Sequence, residues 1–131
     1  MTIFSKIIAG QIPCYKIKED DLFIAFLDIT PIEIGHVLVV PKIEIDKLYN
    51  LPDNYLAAML LFAQPIAKAI EKALPCKRVG LAVIGLEVPH AHLHLVPINT
   101  ANDLNFTKEK LNVSPAEFIE FQGWIVDNLE D

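Results

Sequence analysis

Cysteine is scarce in this sequence: Cys14 and Cys76 are the only two among 131 residues, and neither belongs to a C-x-x-C pair. That excludes a disulfide framework and a thioredoxin-type redox motif, and it fits two ordinary buried thiols in a reducing compartment. No cluster of Lys and Arg offsets a formal net charge of −6, so nucleic acid is not expected as a ligand. No long apolar run is present either. The most apolar stretch, Leu56 to Ala63, is interrupted by Gln64, Pro65 and Lys68, well short of the roughly 20 residues of a membrane span. The start, MTIFSKIIAGQIP, lacks the charged, apolar and cleavage regions of a signal peptide, so the expected location is cytoplasmic. There is no Gly-rich phosphate loop, no dinucleotide fingerprint and no His-Glu-x-x-His, and no cofactor is expected.

What the chain does have is apolar content, 53% of residues, at a length suited to a single domain over 1–131. That surplus leaves room for a partner surface. Phe4 to Ala9 predict a short helix ended by Gly10. Tyr15 to Lys18 and Leu22 to Asp28 predict a hairpin around the acidic turn Glu19-Asp20-Asp21. A loop containing Thr30-Pro31 and Gly35 delivers His36 to a strand, Val37 to Val40, that Pro41 stops. Helical spacing from Pro52 to Leu74 predicts a long helix, with a kink or bend at Pro65. Strands follow at Val79 to Ile84 and His90 to Val96. Ser114-Pro115-Ala116-Glu117 is a capping box that opens a last helix, Pro115 to Leu129. Antiparallel neighbours with segregated helices make an α+β domain.

All four histidines fall in two places: His90-Ala91-His92-Leu93-His94, and His36 at the mouth of another strand. On a strand, alternate side chains share a face, so the three triplet imidazoles would line one side and Ala91, Leu93 and Leu95 the other. A metal site is disfavoured, because residues i and i+4 of a straight strand stand roughly 13 Å apart and a chelating pair would still want a third ligand such as His36 or Glu44. A phosphoryl group suits the row better. It needs a nucleophile in line with the leaving group and hydrogen-bond donors to its other oxygens, and neutral or protonated imidazoles supply both. The middle member, His92, has partners on both sides and is the expected nucleophile.

The stretch Gly85-Leu86-Glu87-Val88-Pro89-His90-Ala91-His92-Leu93-His94-Leu95-Val96 resembles the His-φ-His-φ-His-φ-φ signature of histidine-triad (HIT) proteins, and the branch it most resembles is the phosphoramidate-cleaving, Hint-like one. Gly35-His36-Val37-Leu38-Val39-Val40-Pro41-Lys42 is similar to a second block of that family. Ile3 to Gly10 and Ala25 to Pro31 are similar to two more, so the resemblance covers roughly residues 2 to 97.

The resemblance implies an antiparallel five-stranded sheet with one long central helix, a short N-terminal helix and a C-terminal helix, paired as a homodimer through the long helix and an edge strand. It implies attack by His92 on the α-phosphorus of a purine nucleotide, with a nucleotidyl-histidine intermediate resolved by water. His94 and His90 would hydrogen-bond the phosphate or leaving group and His36 would support the row. Phe4, Ile7, Ile29 and Leu38 would line a nucleobase pocket, and Asp28 would accept the ribose hydroxyls. Taken alone, each of the apolar four is more often simple core, and Asp28 reads also as a cap of the Thr30-Pro31 turn.

Two departures from the family pattern stand out. Many microbial members hold a structural zinc with an N-terminal Cys-x-x-Cys and further histidines; here those positions read Thr2, Ser5 and Glu44, so no metal is expected. The segment before the triad is shortened, an Asn is absent, and Gly85-Leu86-Glu87 replaces the usual Gly-Gln-Ser/Thr. Glu87 is either a solvated turn residue or, if burial raised its pKa, a general acid for an amine leaving group. Phosphoramidate hydrolysis is the leading expectation. Dinucleoside polyphosphate hydrolysis, nucleotidyl transfer or phosphorolysis through the same intermediate, and a nucleotide-binding scaffold with vestigial activity are the alternatives.

Overall fold

The computed structural model describes residues 1–130. The chain runs through a short helix α1 (Ile3–Ile8) and strands β1 (Lys16–Glu19), β2 (Phe23–Leu27) and β3 (Val37–Pro41). The long helix α2 (Asp53–Ala73), strands β4 (Arg78–Ala82) and β5 (Leu93–Ile98), and helix α3 (Pro115–Asp127) follow. Single 3₁₀ turns occupy Leu48–Asn50 and Ala101–Leu104. The five strands form one antiparallel sheet in the order β1-β2-β3-β5-β4, an α+β architecture. No helix among the described residues is long and apolar enough to cross a membrane.

Local chemistry explains each boundary. The Asp20 carboxylate accepts from Leu22 N and Phe23 N, both at 2.8 Å, closing the β1–β2 hairpin. The Ser114–Glu117 capping box opens α3, which ends at Asp127 and not at Leu129 because Asn128 turns its N–H back to Ile125 O. Helix α2 is continuous through Pro65, whose ring nitrogen gives nothing to the Leu61 carbonyl one turn earlier. Strand β4 ends at Ala82, its last residue paired with β5, so Val83 and Ile84 lie beyond the ladder.

Alternation within the strands divides the sheet into two faces. Phe23, Ala25 and Leu27 of β2, Val37 and Val39 of β3, and Leu93 and Leu95 of β5 pack beneath Phe62, Ile66 and Ile70 of α2 and Phe118, Phe121 and Ile125 of α3. Each large apolar side chain buried there contributes about 1.5–3 kcal/mol, which makes this the stabilising core. The opposite face carries Ile24, Phe26, Leu38 and Val40, covered by Phe4 of α1. The histidines belong to this second face. The two cysteines are unpaired and only partly buried, where full burial was expected.

Candidate active site

Gly35 takes φ +89°, and a side chain there would run into Leu74; the glycine lets the loop turn tightly enough to start β3 with His36 against the sheet. In the register of β3 with β5, Leu38 lies opposite His94, and Ala82 flanks His94 from β4. Histidines 58 positions apart thereby meet, with His36 Nε2 2.9 Å from His94 Nδ1. The predicted strand from His90 begins only at Leu93. Two backbone bonds explain this: His90 N donates to Val88 O and Ala91 N to Ile45 O, so this stretch leaves the ladder.

The hydrogen bonds fix every tautomer in the row. A carbonyl only accepts, so His92 Nδ1, 2.7 Å from His90 O, carries the proton and leaves Nε2 with a free electron pair. Ile32 N–H donates to His36 Nδ1 at 3.2 Å, which puts the His36 proton on Nε2, where it is donated to His94 Nδ1. His94 is then left with Nε2–H as the donor it can offer. His90 donates Nε2–H to Pro41 O at 2.9 Å and accepts at Nδ1 from the Thr2 hydroxyl at 2.8 Å. The ring of Phe4 stands edge-on to both His90 and His92, with centroids 5.7 and 4.9 Å away.

Burial keeps His36, His90 and His94 neutral. Desolvation drives His36 down to about 4, against the opposing pull of Asp28 and with a further push from the Lys110 ammonium. His94 falls to about 3 for the same leading reason, with His36 and His92 adding to the effect. His90 is likewise lowered by burial. At neutral pH, His94 therefore donates a hydrogen bond without carrying charge.

His36, His92 and His94 open onto a cavity of about 370 Å³, whose walls also include Asp28, Thr30, Ile32, Ile84, Gly85, Leu86, Glu87, Phe106, Thr107 and Lys110. Of the residues singled out from sequence, Asp28 and Glu87 are there with three of the histidines. His90 is elsewhere, fully buried with both ring nitrogens engaged. Phe4 and Leu38 are closed into the second apolar cluster with Ile7 packed against it, and Ile29 is 63% exposed beside Asp28. Glu87 is exposed on the rim of the cavity.

Sequence reasoning passed over Phe106, Thr107 and Lys110. This segment is held down by Leu111 N donating to Pro31 O at 2.8 Å and by Lys108 paired with Glu33 at 3.3 Å. The Phe106 ring caps His94, centroids 4.6 Å apart, and contributes to its desolvation. A lone aromatic in the polar run Asn105-Phe106-Thr107-Lys108 is the one signal that could have pointed to it.

Asp28, His36 and His94 present one ligand atom each within 4.8 Å of one another, a trio close enough to invite a metal ion. Hydrogen bonding argues against that use. An ion there would displace the proton between His36 and His94, and the Ile32 N–H facing His36 Nδ1 blocks the tautomer shift that would accommodate it. The pair His36 and His94 is better described as a proton-ordered relay, with Asp28 Oδ2 nearby at 3.6 Å from His36 Nε2, beyond hydrogen-bond distance.

The family profile described as HIT domain matches residues 9–101. An uncharacterized HIT-like protein of Borreliella burgdorferi is 34% identical over 135 aligned positions that cover 97% of each chain. The adenosine 5′-monophosphoramidase HNT1 of Saccharomyces cerevisiae is 39% identical over 100 positions, 72% of this chain and 61% of that protein. Among solved structures, a Hit-like protein involved in cell-cycle regulation from Bartonella henselae superposes with a TM-score of 0.85 at 28% identity, covering 98% of this chain and 96% of that one.

Proposed function

Because the chain belongs to the HIT family, in company with Hint-like relatives, we propose that it hydrolyses nucleoside phosphoramidates or closely related nucleotides at the α-phosphate, with His92 as nucleophile. One observation carries this reading: the bond from His92 Nδ1 to the His90 carbonyl leaves the Nε2 electron pair free on a ring that lines the cavity. In the first step Nε2 forms a bond to the α-phosphorus, the P–N bond breaks, and the amine departs with the electron pair and takes a proton from solvent at the open rim. In the second step water adds to phosphorus and gives up a proton to solvent, the Nε2–P bond breaks with its electron pair returning to Nε2, and nucleoside monophosphate leaves. His94 Nε2–H stabilises the phosphoryl oxygens as a neutral donor throughout.

Asp28 lines the same cavity and in this reading is the acceptor for the ribose hydroxyls. Ile29, exposed next to it, gives an apolar surface for a base to cover. The name of the yeast relative, an adenosine 5′-monophosphoramidase, agrees with an amine leaving group.

The same reading includes pairing of two copies. Leu60 and Leu61 on α2 are 62% and 72% exposed, and with Leu81 they line a groove beside β4, an edge strand of the sheet. An apolar helix face continuous with an unpaired strand edge is the pattern a second copy covers.

The test is to incubate the protein with a fluorogenic adenosine 5′-phosphoramidate, quench in alkali, and map added mass by peptide mass spectrometry, with His92→Ala as control. Turnover and a nucleotidyl adduct on His92 are expected. Nucleotide binding with neither would overturn the hydrolase reading and leave a binding protein. Product transferred to an added acceptor in place of water would make it a transferase.

A further inference from the structure

Thr2, Ser5 and Glu44 replace the zinc-site residues of many family members, and in this chain they form a hydrogen-bond circuit that ends on His90. Glu44 Oε1 accepts from Ser5 Oγ at 2.7 Å and from Thr2 N at 2.8 Å. Thr2 Oγ1 accepts from Ser5 N at 3.0 Å, which caps α1. With that acceptor role filled, the Thr2 hydroxyl proton goes to His90 Nδ1 at 2.8 Å, the shorter of its two outlets, Ser5 Oγ being 3.3 Å away. The opposite tautomer of His90 is excluded, because it would set a bare nitrogen against the Pro41 carbonyl at 2.9 Å.

The donor set does not suit a structural zinc. Two hydroxyls stand in for two thiolates, and the imidazole nitrogen that would bind the ion is already taken by Thr2. The circuit does mechanically what a metal would: it ties α1, the Ile43–Ile45 turn and the segment before β5 to one another across sequence separations of 88 and 42 residues. Its inner end is His90, and the His90 carbonyl is the group that holds His92 Nδ1.

We propose that Thr2 is a positioning residue: together with Ser5 and Glu44 it forms a metal-free clamp on His90, and through the His90 carbonyl it orients the His92 imidazole. The effect on turnover rests on the reading given under Proposed function; the clamp itself does not.

The experiment compares Thr2→Val, which keeps the shape and loses the hydroxyl, with Thr2→Ser, which keeps the hydroxyl. Nitrogen-15 NMR of the histidine rings is read first. In Thr2→Val the His90 Nδ1 resonance moves toward that of an unbonded nitrogen, and in Thr2→Ser it stays with the wild type. Turnover of an adenosine phosphoramidate is read second: kcat falls about tenfold in Thr2→Val with KM within about twofold, and Thr2→Ser restores it. Chelator and added zinc change neither Tm nor kcat of the wild type.

An unmoved His90 resonance in Thr2→Val overturns the clamp, and so does a chelator-induced fall in Tm that zinc reverses. A shifted resonance with unchanged kcat overturns the positioning role. If the wild type turns nothing over, the function proposed above fails, and the NMR comparison still decides the clamp.

Discussion

His36 Nε2 and His94 Nδ1, 58 residues apart in sequence, share one proton across 2.9 Å, and the Ile32 N–H facing His36 Nδ1 sets its direction. His94 consequently meets the cavity as a neutral N–H donor. Removing His36 should therefore impair chemistry more than binding. In His36→Phe, we expect kcat to fall roughly 10- to 100-fold while KM changes less than about threefold, since the lost order concerns the developing phosphoryl charge. Steady-state kinetics on a phosphoramidate checks this, and a KM effect larger than the kcat effect would speak against the relay.

Stability should depend on these two rings. Their folded pKa values, about 4 for His36 and about 3 for His94, lie below the ~6.5 of an unfolded histidine. Between those limits the unfolded chain binds more protons, so stability is complete above pH ~6.5 and is lost as pH falls toward 4 and then 3. Thermal denaturation should show Tm dropping by roughly 5–10 °C from pH 7 to pH 5. His36→Asn should give a shallower slope over the same range.

Phe106 lies against His94 with ring centroids 4.6 Å apart, and its segment is docked through Leu111 N to Pro31 O. Phe106→Ala admits water to a ring that burial keeps neutral. The expected result is a fall in kcat/KM of about tenfold and an upward move of the His94 titration, readable by NMR. An unchanged His94 titration would mean that the desolvation comes from the sheet alone.

Glu87 is exposed on the cavity rim, so its carboxylate has water as an alternative partner at no cost. Glu87→Gln should keep phosphoramidate turnover within about threefold. A loss of a hundredfold or more would restore the general-acid role.

Pairing through α2 is tested by Leu61→Glu. Placing a charge on a side chain that is 72% exposed in one copy costs the isolated fold little, and burying it against a partner costs several kcal/mol. Sedimentation should show dimers for the wild type and monomers for the variant at micromolar concentration. A variant that sediments as the wild type would exclude this face.

Much of the architecture could be read from the chain itself, because short-range chemistry decides it. Proline and glycine punctuate the hairpin and the β3 entry, the Ser114-Pro115-Ala116-Glu117 box opens α3, and the apolar period from Asp53 specifies α2. The local sequence also singled out His92, His94, His36 and Asp28, which line the cavity together. Strand alternation, however, put the three triplet imidazoles on one face, and the hydrogen-bond partners that distinguish them appear only in the folded chain. Thr2 and Pro41 engage His90, the His90 carbonyl orders His92, and Ile32 orders the pair His36 and His94.

Which nitrogen carries each proton depends on a partner 2 to 88 residues away, and periodicity holds no record of such partners. The same is true of Phe106, brought over His94 by a loop whose residues have no pattern of their own. The sequence by itself determined the elements, the two faces of the sheet and the identity of the imidazoles, since these follow from neighbours along the chain. Only the tertiary structure decided which nitrogen of each ring carries its proton and which rings reach the cavity, because those depend on burial and on hydrogen-bond partners set by the fold.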